Sequence, residues 1–563
     1  LSGTTVAAGA AHGRIAARIA ALREARFAER LLAADPTLWG GDPARHESVA
    51  RRLGWVRSAE AMLARAGEYT AFAREVAAEG FTRVLLLGMG GSSLAPEVIA
   101  GVHGVRPGGL PLAVLDDTSP AAVRAALAAG DPARTLHLVA SKSGGTIEVT
   151  SFERACFARA AARLGPRAGR SFAAITDPGT ALESHARARG YRAVFTNPAD
   201  IGGRYSALSG FGLLPAALLG LDPAALCRSA LEELAAFGAG GGAALEAGAA
   251  LGELALAGRD KLTLVLPPGW TPLGAWIEQL VAESTGKQGR GILPVDGEPL
   301  AGPEAYRDDR VFVALEPQGA GFPADSPLAR LAAAGLPVLR WSRPGVASLG
   351  AEFLRWELVT AVAGAVIGVN PFDEPNVAEA KAATQQVLAA GGAPVAAAPR
   401  ARSGPLELYA PAPVPVDGPD ERAWAGTLLA LVRPGDYVAI LAWAHRTPSR
   451  AAALDRLRVA CRRATRAAVT LGHGPRYLHS TGQLHKGGGG NGVFLQLTCD
   501  EGDEPIPGEA HGFATLRAAQ AAGDFEVLAR HARRVVRVHV SGDPDVGLAR
   551  LVEAFEQAAA SRR

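Results

Sequence analysis

The chain has 563 residues and a formal net charge of +3, with 48% hydrophobic and 20% charged residues. This length exceeds one hydrophobic core and predicts several domains. The scattered, nearly balanced charge excludes a basic stripe that would track nucleic acid. No apolar run reaches the roughly 18 residues of a membrane span, and no charged segment followed by an apolar core opens the chain. A cytoplasmic protein without membrane partners is therefore expected. Cys156, Cys227, Cys461 and Cys499 lie far apart without a C-x-x-C pair, which predicts reduced thiols, no disulfide and no zinc site. The first residue is Leu1 rather than methionine, so the sequence reads as a piece of a longer polypeptide.

Residues 1–79, rich in Ala, Arg, Leu and Glu at helical spacing, predict an N-terminal helical layer. Over 80–200, short apolar runs at 84–87, 112–115, 136–140, 172–176 and 193–195 alternate with helical runs near 94–102, 121–128, 147–164 and 181–189. That alternation specifies a doubly wound parallel sheet. A second alternation fills 201–390, with helices at 206–219 and 224–237, strands at 262–266, 311–315 and 338–340, and helices at 354–367 and 377–389. Residues 391–419, dense in Pro, Gly and Ala, read as a linker in which 406–408 can pair as an edge strand. Residues 420–563 predict a third α/β unit, with strands at 437–441, 493–497 and 535–540 and helices at 449–465 and near 516–529.

Only five of the 58 basic residues are lysines, and three of these, Lys142, Lys287 and Lys486, fall in polar or glycine-rich segments. Residues 141–146, Ser-Lys-Ser-Gly-Gly-Thr, lie between a strand and a long helix, where helix N–H groups converge on an anion. The strand before them is matched by another that ends in 88–93, Gly-Met-Gly-Gly-Ser-Ser, so both turns face one crevice. Neither is a generic nucleotide motif, because the third glycine of G-x-G-x-x-G and the G-x-x-x-x-G-K-[ST] signature are both missing. Residues 201–206 place Arg204 after a flexible Gly202-Gly203 turn. On the helix starting near Leu273, Gln279 and Glu283 share a face just before Ser-Thr-Gly-Lys. A carboxylate in a partly desolvated crevice suits a general base acting on a carbon acid.

Together these segments resemble the phosphoglucose isomerase family, built from two sugar-isomerase (SIS) domains. The GxGGSxLxP, SK[ST]xxT, GGRYS, ESxGK and NxFDxxxVxxxK patterns occur in family order within residues 81–384. The resemblance implies two three-layer αβα SIS domains flanked by the helical layer and the additional C-terminal α/β unit. It also implies a homo-oligomer and interconversion of glucose 6-phosphate and fructose 6-phosphate, in glycolysis and gluconeogenesis, without cofactor or metal. Residue by residue, it implies that Ser141, Lys142, Ser143 and Thr146 hold the phosphate, with Ser92 and Gly203 near the sugar. Glu283 would move the proton between C2 and C1 through a cis-enediolate, Arg204 would stabilise the developing charge, Gln279 would orient the substrate and Lys381 would assist ring opening. Two departures stand out: Glu374 where the family usually has glutamine, and no histidine in 297–313, where the family's ring-opening histidine normally lies. The segment 479–486, His-Ser-Thr-Gly-Gln-Leu-His-Lys, is the expected substitute, with His485 preferred over His479. Similar C-terminal segments belong to bifunctional transaldolase/glucose-6-phosphate isomerase proteins, which implies a transaldolase domain, fused or separate. The alternatives are a dual glucose/mannose 6-phosphate isomerase and a non-catalytic SIS-type sugar-phosphate sensor.

Overall fold

The computed structural model describes residues 4–7, 9–317, 325–343, 345–391, 398–416 and 418–562. Three sheets organise them. The first is all parallel, in the order Leu112–Leu115, Arg83–Gly88, Thr135–Ala140, Phe172–Thr176, Ala193–Thr196. Every residue of its central strands Thr135–Ala140 and Phe172–Thr176 is buried, as expected of a parallel sheet covered by helices on both faces. The strand order reverses between Arg83–Gly88 and Thr135–Ala140. The crevice beyond their carboxyl ends is where open α/β sheets bind ligands, and it receives residues 88–93 and 141–146.

The second sheet runs Val338–Arg343, Arg310–Pro317, Lys261–Val265, Leu293–Val295 in parallel. Thr4–Ala7 adds an antiparallel edge strand along Val338–Arg343, so the start of the chain is not wholly helical as its composition suggests. The third sheet runs Arg534–Val540, Gly492–Cys499, Tyr437–Trp443, Ala468–His473 in parallel, extended by an antiparallel hairpin of Ala401–Ser403 and Leu406–Tyr409. The strand expected at 406–408 thus forms, but Ala401–Ser403 covers its outer side. Of the expected linker 391–419, residues 392–397 and 417 lie outside the described residues.

Helices that the sequence pattern did not reveal include Pro327–Ala333, Glu421–Ala430, Gly482–Gly487, Pro544–Ala560 and, most informatively, Gly242–Leu256. Gly242–Leu256 is rich in Gly and Ala, which have little hydrophobic pattern, yet it packs along Leu349–Ile367. Glycine is required by proximity: a Cβ on Gly248 would lie 2.6 Å from Val362 Cβ, and one on Gly252 would lie 2.5 Å from Val366 Cβ. The C-terminal unit is docked on the rest. Tyr437, Tyr477, Leu484 and Phe494 share a buried cluster with Ala282, Leu293 and Val295 of the second sheet layer. Ile506, Phe513 and Leu516 fill a cluster against the first sheet. Among the described residues no single helix is long and apolar enough to cross a membrane.

Candidate active site

Four segments distant in sequence meet at the crevice. Their closeness is clearest at Gly91, where a Cβ would stand 1.9 Å from the carbonyl oxygen of Gly203. Only a glycine lets the backbone of residues 88–93 approach the 202–206 turn this closely, with Ser92 buried beside it. The helix Leu273–Thr285 forms the floor and is buried along its last turns. Gln279 and Glu283 project from it together, and Gln279 Nε2 donates to Glu283 Oε2 at 3.1 Å and to the carbonyl of His479 at 2.8 Å. Among the described residues Gln279 Oε1 is buried without a hydrogen-bond partner, which leaves an acceptor for a hydroxyl.

Arg204 is buried and fully engaged. Its Nε donates to Ser284 Oγ at 2.8 Å, its Nη2 to the carbonyls of Pro371 at 2.8 Å and Asp373 at 2.9 Å, and its Nη1 to Glu374 Oε2 at 3.0 Å. The same Nη1 lies 3.2 Å from Glu283 Oε1. Burial raises the Glu283 carboxyl above its usual range; Arg204 opposes this and Glu374 adds to it. Lys287, in the loop after the helix, donates to Asp373 Oδ1 at 2.8 Å, and burial, reinforced by Arg204, pulls its ammonium down to about 8.

The segment 141–146 folds as a polar turn. Ser141 Oγ lies 3.2 Å from Thr146 Oγ1 and accepts from Gly144 N at 3.2 Å, and Ser143 Oγ accepts from Gly145 N at 3.4 Å. Thr146 is the N-cap of the helix Ile147–Leu164 but makes no side-chain capping bond, so the first-turn N–H groups are not satisfied by their own cap. Lys142 is paired with Asp177, a partner the sequence reading missed, and also donates to the Ala199 carbonyl at 3.2 Å. Asp177 follows directly on a strand end, the position at which a polar residue in such a sheet reaches the crevice.

The C-terminal unit reaches the crevice through His479. Its Nε2 lies 2.9 Å from Glu148 Oε1, which also accepts from Gln520 Nε2 at 2.8 Å. Burial alone would raise Glu148, but His479 holds it below its usual value. His479, Glu148, Gln520, Thr146 and Lys381 line one cavity, with Lys381 on the exposed face of the helix Val377–Ala389. Glu148 and Gln520 went unread; Glu148, two residues beyond Thr146 in the first turn of the cradle helix, was the available signal. His485, the histidine preferred from the sequence, sits elsewhere. That residue is buried among the rings of Tyr437, Tyr477 and Phe494 at 6.1, 6.2 and 5.1 Å, away from the crevice. Among the described residues neither of its ring nitrogens has a hydrogen-bond partner. Burial pushes its pKa far below the ordinary histidine value. Lys486 is likewise internal, donating to Asp524 Oδ1 at 2.7 Å. Gln483 supplies the docking contact, donating to the Gly286 carbonyl at 3.0 Å and accepting from Asn376 N at 2.9 Å.

Comparison with known proteins bears on this arrangement. A family profile described as phosphoglucose isomerase matches residues 59–225. A glucose-6-phosphate isomerase of Rubrobacter xylanophilus is 31% identical over 365 residues, which cover 55% of this chain and 84% of that protein. The chain belongs to the phosphoglucose isomerase family. A second family protein, the glucose-6-phosphate isomerase of Thermosynechococcus vestitus, is 43% identical over 148 residues, covering 25% of this chain and only 27% of its own length. Among solved structures, a hypothetical protein from Thermus thermophilus superposes with a TM-score of 0.57 at 26% identity, over 66% of this chain and 96% of that one. A glucose-6-phosphate isomerase from Chlamydia trachomatis gives a TM-score of 0.50 at 20% identity, over 64% of this chain and 78% of that one, a likeness of fold. The parallel-sheet, three-layer architecture of the family is therefore present here.

Proposed function

We propose that this chain is an aldose-ketose isomerase that interconverts glucose 6-phosphate and fructose 6-phosphate. The observation that carries the reading is Glu283, a buried carboxylate clamped between Arg204 and Gln279 at the crevice that also receives the 141–146 turn. A sensor would need the turn alone. In the reaction Glu283 takes the proton from C2 as the C1 carbonyl oxygen gains the electron pair; the proton of the C2 hydroxyl passes to O1, and Glu283 returns its proton to C1 as C2 becomes the ketone. Burial makes Glu283 a stronger base than a solvated carboxylate, which suits abstraction from a weak carbon acid. Ser141, Lys142, Ser143 and Thr146 take the phosphate, and the free oxygen of Gln279 accepts from a sugar hydroxyl. Arg204, with its N–H groups already engaged, acts by fixing Glu283 and supplying positive potential where charge develops on the enediolate.

A coupled assay of the purified chain with fructose 6-phosphate tests the activity directly, and its absence under all conditions overturns the reading. In that assay Lys142→Ala is expected to raise KM at least about tenfold, because a dianionic phosphate loses a charge-assisted donor. Inorganic phosphate should inhibit competitively. If it competes no better than chloride at equal ionic strength, the turn does not hold the phosphate.

For ring opening we assign His479, paired with Glu148 in the cavity, rather than His485. His479→Ala is expected to slow turnover of the cyclic sugar about a hundredfold while sparing an open-chain sugar phosphate that cannot cyclise. His485→Ala should instead lower the Tm, because it opens a hole among three aromatic rings. Equal losses on both sugars in His479→Ala would remove it from the ring-opening step.

A further inference from the structure

Two carboxylates share one guanidinium edge. Arg204 Nη1 is 3.0 Å from Glu374 Oε2 and 3.2 Å from Glu283 Oε1. The other oxygen of Glu374 lies 3.6 Å from Arg52 Nη2, which belongs to the N-terminal helical layer. A buried arginine facing one buried carboxylate makes a tight pair, and such pairing favours the ionised form and weakens the base. Here the guanidinium is divided, and the second negative charge faces the first across it.

We propose that Glu374 is a positioning residue that strengthens Glu283 as a base by competing with it for Arg204, and that Arg52 acts as the counterweight limiting that competition. The proposal rests on Glu283 being the base. The surroundings are consistent with this. Glu283 is faced by Arg204, Lys287, Glu374 and the Gln279 amide, with Asp373 held on Lys287 and the Tyr205 hydroxyl behind Ser284. Glu374 is faced by Arg204, Arg52 and Lys287. Arg204 and Lys287 therefore lower the proton affinity of Glu283, and Glu374 is the charge that opposes them. Because Glu374 stands at the crevice rim, with 36% of its side chain exposed, it exerts this influence without closing the site.

The test is the pH dependence of kcat/KM for the full chain and three variants. Glu374→Gln removes the competing charge, so the acidic limb should move to lower pH and the plateau should fall about threefold, as expected for a weaker base. Arg52→Gln removes the counterweight, so the limb should move to higher pH. Glu374→Asp keeps the charge and should follow the parent more closely than Glu374→Gln does. Ionisation of the substrate phosphate, near about 6, is common to all four proteins and cancels in the comparison. Carbon-13 titration of the Glu283 carboxyl, assigned by its loss in Glu283→Gln, reads the same shifts without turnover and so separates this proposal from the activity itself. Coincident midpoints for the parent and Glu374→Gln, or shifts of the same sign in Glu374→Gln and Arg52→Gln, would overturn it.

Discussion

Glu283→Gln is expected to lower turnover by about a thousandfold while sugar-phosphate binding stays within about tenfold. The two effects separate because they reside on different elements. The carboxylate proposed to move the proton stands on the helix Leu273–Thr285, whereas the proposed phosphate site is the turn before Ile147–Leu164. The substitution also removes a desolvated charge. The amide still offers an oxygen to Gln279 or to Arg204, though not to both, and Arg204 retains Glu374 as its counter-charge. The fold should therefore survive, with a Tm close to that of the parent. Loss of deuterium exchange at C2 in heavy water, alongside retained binding by calorimetry, is the result that assigns the proton transfer. Exchange within tenfold of the parent would take Glu283 out of the chemical step.

The pairing of buried strands with long helices made the first sheet readable, since largely apolar, fully buried runs such as Phe172–Thr176 have few other folds open to them. Its candidate site segments stood out for a related reason, because runs of glycine and hydroxyl residues at the ends of apolar strands break the apolar pattern where the sheet opens to a crevice. The third unit was harder. The six-residue helix Gly482–Gly487 carries His485 and Lys486 in a glycine-rich context that looks like a loop. Docking against Leu273–Thr285 turns it into buried structure. No local pattern distinguishes a histidine turned toward Glu148 from one turned toward Phe494, because the choice depends on which neighbours tertiary packing supplies. Asp177, Glu148 and Gln520 went unread for the same reason: each acts through a partner distant in sequence or in another unit.

Arg204→Lys keeps the charge and is nevertheless expected to cost about 3 kcal/mol of stability and about a hundredfold in turnover. The reason is geometric. Arginine presents a planar fork of donors, whereas lysine presents three donors from a single atom. In this crevice the acceptors are spread around the fork: Ser284 Oγ on one side, the Pro371 and Asp373 carbonyls on another, and the two carboxylates at Nη1. An ammonium can reach some of these and must leave others, so buried oxygens lose their donors and Glu283 loses its fixed orientation. The consequences can be read separately. Urea unfolding gives the stability loss, and turnover corrected for the folded fraction gives the catalytic one. If corrected turnover matched the parent, Arg204 would be a structural clamp for residues 371–374 with no hold on the base. A loss on both measures ties the buried fork to the chemistry, because the group that organises the floor of the crevice is then also the group that orients the carboxylate.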